Sequence, residues 1–154
     1  QTRGTLTISR IDQRKNELPR IQYETPITIP GKYCLNTGTL TSNINRYPMK
    51  IENPGTHSVF FDKDTVGSDF MLRSWKPGDY FQPFGMIHTK KLQDFFVDMK
   101  VPRHLRSEVP LLVSDKGILW IVGYRASDIG KVIPSSKQVI KIEWLPHDAN
   151  SASM

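Results

Sequence analysis

The chain has a single cysteine, Cys34, among 154 residues. That excludes an internal disulfide framework and any cysteine-based zinc cluster, and it fits a reducing compartment such as the cytoplasm. Set beside Tyr33 and Leu35, Cys34 reads as a small buried hydrophobe. No apolar run approaches the roughly eighteen residues that a membrane span needs. No charged-then-apolar leader precedes the first strand pattern, so no signal peptide is expected. The start at Gln1, in mid-pattern and without Met, reads as a piece cut from a larger protein. Glycine-rich loops of the kind that cradle nucleotide phosphates after a strand are missing as well. The four histidines, His57, His88, His104 and His147, are scattered, with no pair at metal-ligand spacing. There is no internal repeat and no low-complexity segment.

What is present is turn-rich and basic. Eleven prolines and ten glycines break the chain often, and the hydrophobic fraction of 38% is enough for one well-buried core. The net charge is +6, which favours polyanionic partners mildly. Its distribution says more. Residues 73–131 carry ten Lys/Arg against six Asp/Glu, whereas residues 132–154 are neutral, so the excess concentrates in the middle of the chain.

Alternation of apolar and polar residues predicts strands at 3–11, 39–47, 57–61, 69–75 (Phe70, Leu72 and Ser74 on one face) and 138–145. Residues 12–20 are charged and read as a surface loop, 21–29 as extended, Pro30-Gly31 as a turn, and Asp62-Lys63-Asp64 as another. Leu92, Phe95, Phe96 and Met99 fall at i, i+3, i+4 and i+7 and predict one amphipathic helix, which Val101-Pro102 ends. Pro102 opens a second short helix carrying Arg103, Leu105 and Arg106. Two β-rich runs follow, 109–113 and 118–124, around a Ser-Asp-Lys-Gly turn. The order, strands then two adjacent short helices then strands, predicts an α+β fold with a dominant, mostly antiparallel sheet and the helices on one side.

Between His88 and Arg106 stand five Lys/Arg and two Asp. Lys90 and Lys91 are expected at or near a helix N-terminus, where lysines oppose the helix dipole unless something negative sits nearby. A phosphate would supply that charge; the plainer alternative is a solvated face whose lysine stems cover aromatic surface. Asp94 and Asp98, at i and i+4, are read as partners of nearby lysines rather than as catalytic carboxylates. Of the aromatics, Phe95, Phe96 and Trp120 belong to the core pattern, and Tyr80 is kept as a surface contact. Candidate phosphate contacts, chosen by charge and placement, are Lys90, Lys91, Arg103 and Arg106, followed by Arg73, Lys100 and Arg125.

Four motifs in register, PGDYFQPFGM, TKKLQDFF, KVPRHLRSEVPLL and GILWIVGYR, make this stretch resemble the C-terminal domain of the tRNA(Ile)-lysidine synthetases. One departure is His88, where that family often has Gly. The resemblance implies a compact, sandwich-like β domain similar to a module of phenylalanyl-tRNA synthetase. It implies residues 21–146 as the C-terminal domain, with the closest match at 73–131. Residues 1–20, which end in the charged loop, read as the end of a preceding subdomain or a linker strand, and 147–154, small and polar, as a flexible tail. It further implies an enzyme that uses ATP and Mg, bound in an N-terminal domain outside this chain, to attach lysine to the wobble cytidine of an isoleucine tRNA with a CAU anticodon. This chain would lack cofactors of its own, would be non-catalytic alone, and would hold the tRNA body on its acceptor-stem side. The rival reading is an interaction module that packs on the catalytic domain or mediates a homodimer.

Overall fold

The computed structural model describes residues 9–10, 24–51, 55 and 57–147. In chain order the elements are β1 (Ser9–Arg10), β2 (Thr25–Ile27), β3 (Gly31–Cys34), β4 (Gly38–Arg46), β5 (Ser58–Asp62), the one-turn helix α1 (Lys63–Val66) and β6 (Phe70–Arg73). Then come β7 (Tyr80–Phe81), β8 (Lys90–Lys91), α2 (Leu92–Asp98), a 3-10 helix (Arg103–Glu108), β9 (Leu111–Ser114), β10 (Gly117–Ile121), β11 (Arg125–Ala126) and β12 (Gln138–Pro146). The expected loop at 12–20 lies outside the described residues, as do 21–23 of the extended segment and 148–154 of the tail.

Two five-stranded antiparallel sheets form the body. The first runs β1-β3-β4-β12-β5 and the second β11-β10-β9-β6-β2. The strand predicted near the C-terminus is therefore not an edge: β12 sits between β4 and β5 and pairs with both. Its alternation places Ile140, Ile142 and Trp144 inward, against Leu40, Phe61, Leu72, Leu112 and Trp120, which fill the space between the sheets. The Asp62-Lys63-Asp64 turn is one helical turn, in which the Thr65 hydroxyl donates to the Asp62 carboxylate.

The second sheet is buried on both faces, and this builds the third layer. Leu112 faces the first sheet, while its neighbour Leu111 faces a second cluster with Leu92, Phe95 and Phe96 of α2, Phe81 of β7, Val101 and Val109. Strand β10 serves both clusters through a bulge. Ile118 pairs with Val113 and Trp120 with Leu112, so Leu119 is the extra residue. The bulge lets consecutive Leu119 and Trp120 join the inner core while Ile118 and Ile121 both face α2. The β-run predicted to continue to Tyr124 stops at Ile121. There the chain turns back into β11 through Gly123, at φ +86, with Tyr124 N–H donating to Ile121 O at 2.8 Å.

Candidate nucleic-acid interface

The outer layer is the ribbon β7–β8, then α2, then the 3-10 helix. One carboxylate fixes where it starts. Asp79 takes both guanidinium nitrogens of Arg73, at 2.9 and 3.1 Å, and the Lys76 backbone N–H at 2.7 Å. Its own carbonyl accepts the Leu92 N–H at 2.9 Å, one of the donors that a helix start leaves free. A single residue thus ties β6, the 76–79 turn and the beginning of α2. Next to it, Lys76 Nζ donates to Glu24 at 2.9 Å, and this bond and its charge hold the Glu24 carboxyl below its ordinary pKa. The Arg73 and Asp79 side chains are only 12% and 15% exposed, so the pair is largely desolvated. Asp79→Asn is expected to cost about 2 kcal/mol in urea unfolding, because Arg73 would keep its charge without its partner. A variant as stable as the parent would show that the turn is held by its backbone alone.

The basic residues sort into those committed to the fold and those open to a ligand. Arg73 belongs to the first group. So does Arg106, which is 9% exposed: its Nε donates to Val101 O at 3.0 Å, and the guanidinium lies 5.8 Å from the Phe96 ring centroid. A buried cation needs such partners, and here they leave it facing the second core cluster rather than solvent. Arg125 is half-buried and donates from Nη2 to Phe84 O at 3.1 Å, tying β11 to the 82–89 loop.

Lys90 and Lys91 are successive residues of a strand, so their side chains leave opposite faces of the ribbon. Lys90 forms an ion pair with Asp98 at the far end of α2. That pairing satisfies the charge for which the sequence suggested a phosphate. Lys91 caps α2, is exposed, and lies directly across the ribbon from Tyr80, which is 64% exposed. Tyr80 and Lys91 therefore share the outward face, an aromatic ring beside an ammonium. His88 is exposed and its backbone is ordinary. The only non-glycine residue with positive φ among those described is Lys100, so the histidine at a usual glycine position does not force an unusual loop.

Lys100, at φ +59, closes α2. Its N–H donates to Val97 O at 3.0 Å and the next N–H, of Val101, to Phe96 O at 2.9 Å. This is a Schellman closure, with Phe96 and Val101 buried in the same cluster beneath it. The left-handed position is usually glycine, and lysine there costs about 1 kcal/mol. Met99, expected on the buried stripe, caps the helix and is exposed. Arg103, in the 3-10 helix, is exposed. Lys91, Lys100 and Arg103 have no ion-pair partner among the described residues.

Beside this layer lies a cleft of about 400 Å³ that the sequence did not reveal. Met99, Lys100, Pro102 and Leu105 form one side, and Tyr124 and Trp144 the other. Trp144 reaches this position because Gly38 and Gly123 have no Cβ: one built at Gly38 would stand 2.6 Å from the indole. Among the described residues no group of three or more His, Cys, Asp or Glu is placed to hold a metal ion, and no helix is long and apolar enough to cross a membrane.

Residues 70–144 match the family model described as TilS substrate C-terminal domain. This part of the chain belongs to that family. The match takes in β6 through nearly all of β12, and so the whole outer layer and the second sheet apart from β2. The chain is 37% identical over 123 residues to a tRNA(Ile)-lysidine synthase of Dehalococcoides mccartyi, covering 74% of this chain and 26% of that protein. It is 44% identical over 104 residues to one of Clostridium tetani, covering 68% and 22%. It thus spans about a quarter of the length of these curated relatives. Among solved structures, one described as the TilS C-terminal domain superposes with a TM-score of 0.68 at 20% identity, covering 82% of this chain and 99% of that one. That likeness supports the fold, mostly antiparallel sheets with few short helices. An N-terminal fragment of the phenylalanyl-tRNA synthetase beta-subunit from Pyrococcus horikoshii superposes at 0.46, too loosely to bear on function.

Proposed function

We propose that this TilS domain is the tRNA-holding part of a tRNA(Ile)-lysidine synthase, working in the cytoplasm. The observation that carries the reading is the set Lys91, Lys100 and Arg103: three exposed cations without acidic partners among the described residues, all on the outer layer of a domain of this family. Such groups bind phosphates at a cost of few ordered side chains and read the shape of a folded RNA more than its bases. Tyr80, across from Lys91, adds a ring against which a sugar or base can pack. Lys90, its charge shared with Asp98, contributes less. Arg73, Arg106 and Arg125 act by holding the surface in place.

In the complete enzyme, ATP activates the wobble cytidine of the CAU-anticodon isoleucine tRNA as an adenylate, and the amine of free lysine displaces AMP. ATP and Mg are assigned to the N-terminal domain of that enzyme, since this sequence has no glycine-rich strand-to-helix loop. No chemical step is assigned to the described residues. The domain instead binds the tRNA body, on the acceptor-stem side, and so positions an anticodon that reacts elsewhere. Binding energy spent far from the reacting centre raises the rate by fixing its geometry.

Retardation of tRNA by the chain in a gel, run beside a sizing column, tests the reading. Retarded tRNA with a monomeric chain is the expected result; no shift with a clean dimer would favour an interaction module. Incubated with labelled ATP, lysine and tRNA, the chain alone is expected to release no AMP above background. Turnover by the pure chain would place a catalytic site within it.

A further inference from the structure

We propose that the cleft between the 3-10 helix and β12 takes an unpaired nucleotide from the end of the bound RNA, with Lys100 as the phosphate contact at its mouth. The inference rests on the tRNA-holding reading and extends it from phosphates to a base. Three observations converge. The cleft, at about 400 Å³, lies toward the small end of the range that holds compact ligands, and its walls are largely apolar. Of the two aromatic lining residues, Tyr124 is half-buried and Trp144 is only 7% exposed, so Tyr124 offers the accessible ring, and Met99 and Leu105 on the opposite side are exposed large apolar residues. This is the environment in which an unstacked base gains from leaving water. A base-paired stem offers no free base face, so an occupant from a folded RNA must come from a single-stranded stretch.

Lys100 supplies the charge. It lines the cleft, as does the half-buried Glu108, but unlike that carboxylate it is exposed, and it has no ion-pair partner among the described residues. It also occupies the one left-handed position that a non-glycine residue takes among those described, at the closure of α2. Glycine would close the helix with less strain, so the lysine there is not explained by folding. A phosphate 5′ to a base in the cleft would explain it. Arg103, three residues on and exposed, extends the same positive edge.

The test compares a tRNA with the same tRNA trimmed of its unpaired 3′ nucleotides, binding each to the parent chain and to Lys100→Gly at near-physiological salt. For the parent, trimming is expected to weaken binding about tenfold, the effect of one stacked base. Lys100→Gly is expected to weaken the intact tRNA about fivefold, to lower the salt slope by about one unit, and to melt at or above the parent temperature. Equal binding of intact and trimmed tRNA by the parent would overturn the proposal and leave the tRNA-holding reading standing. Binding of neither would overturn both. A parent that is dimeric, turns monomeric with Leu105→Asp, and ignores trimming would place a second copy of the chain in the cleft, which also overturns the proposal. A Lys100→Gly variant that melts lower and binds as the parent does would assign Lys100 to the fold.

Discussion

Reversing Lys91, Lys100 and Arg103 together to glutamate is expected to weaken tRNA binding about a hundredfold at ~0.15 M salt, because three neutralised phosphates contribute about two powers of ten there. The parent should lose affinity with a slope of about −3 in log K against log salt, and the triple variant should flatten that slope by up to three units. All folded tRNAs tested should lose alike, since phosphate contacts position an RNA without reading its bases. The three residues are exposed and make no ion pair among the described residues, so the variant should keep the parent's melting temperature within a few degrees. The control is Lys32→Glu with Arg46→Glu and Lys50→Glu, an equal change of charge at exposed positions on and beside the first sheet. A control that weakens binding as much as the triple variant would mean that only net charge matters. Arg106 is left out on purpose: its reversal would bury a carboxylate against Phe96 and the Val101 carbonyl, so a loss of binding there would report unfolding.

Most strands were legible because their alternation is local. Phe70 and Leu72 point into the inner core as their alternation predicts, and Ser74, just past the strand, is buried with its hydroxyl donating to Ser107 O at 3.0 Å. The α2 stripe was legible for the same reason, and its end followed from Val101-Pro102. Less local features were hidden. The bulge at Leu119 looks like an uninterrupted apolar run, GILWIV, because both faces of the second sheet are buried. The Arg73–Asp79 pair joins a strand to a turn at a spacing with no periodic signature. Charge alone could not separate Arg106 from Arg103. The difference arises where the 3-10 helix meets the ring of Phe96, a contact between two elements. The cleft needed Trp144, which lies more than thirty residues beyond its opposite wall in sequence. One local signal does exist for the left-handed lysine: a helix that ends in Met-Lys-Val-Pro, with a buried Phe five residues before the Val, has the spacing of a Schellman closure.

Phe96→Ala is expected to be the most damaging single change to the fold, at about 3–5 kcal/mol. Its ring is fully buried, meets Trp75 edge-on at 5.6 Å and Phe95 at 6.0 Å between centroids, and carries the Arg106 guanidinium at 5.8 Å. Truncation opens a cavity between α2 and the second sheet and takes away one of the two partners that make a buried cation tolerable. For a domain of this size the loss should appear as a fall of roughly 10–15 °C in melting temperature. Phe96→Leu keeps most of the volume but not the ring, so it isolates the cation and edge-on contacts and should cost about 1–2 kcal/mol. If Arg106 is stabilised through that ring, Arg106→Met should be less harmful in the Phe96→Leu background than in the parent, with a coupling of about 0.5–1 kcal/mol in a double-mutant cycle. Additive losses would mean that the Val101 carbonyl alone holds the guanidinium. A Phe96→Ala chain that melts with the parent but releases tRNA would move Phe96 from the core to the binding surface, and the outer layer would then have to be open where the structure closes it.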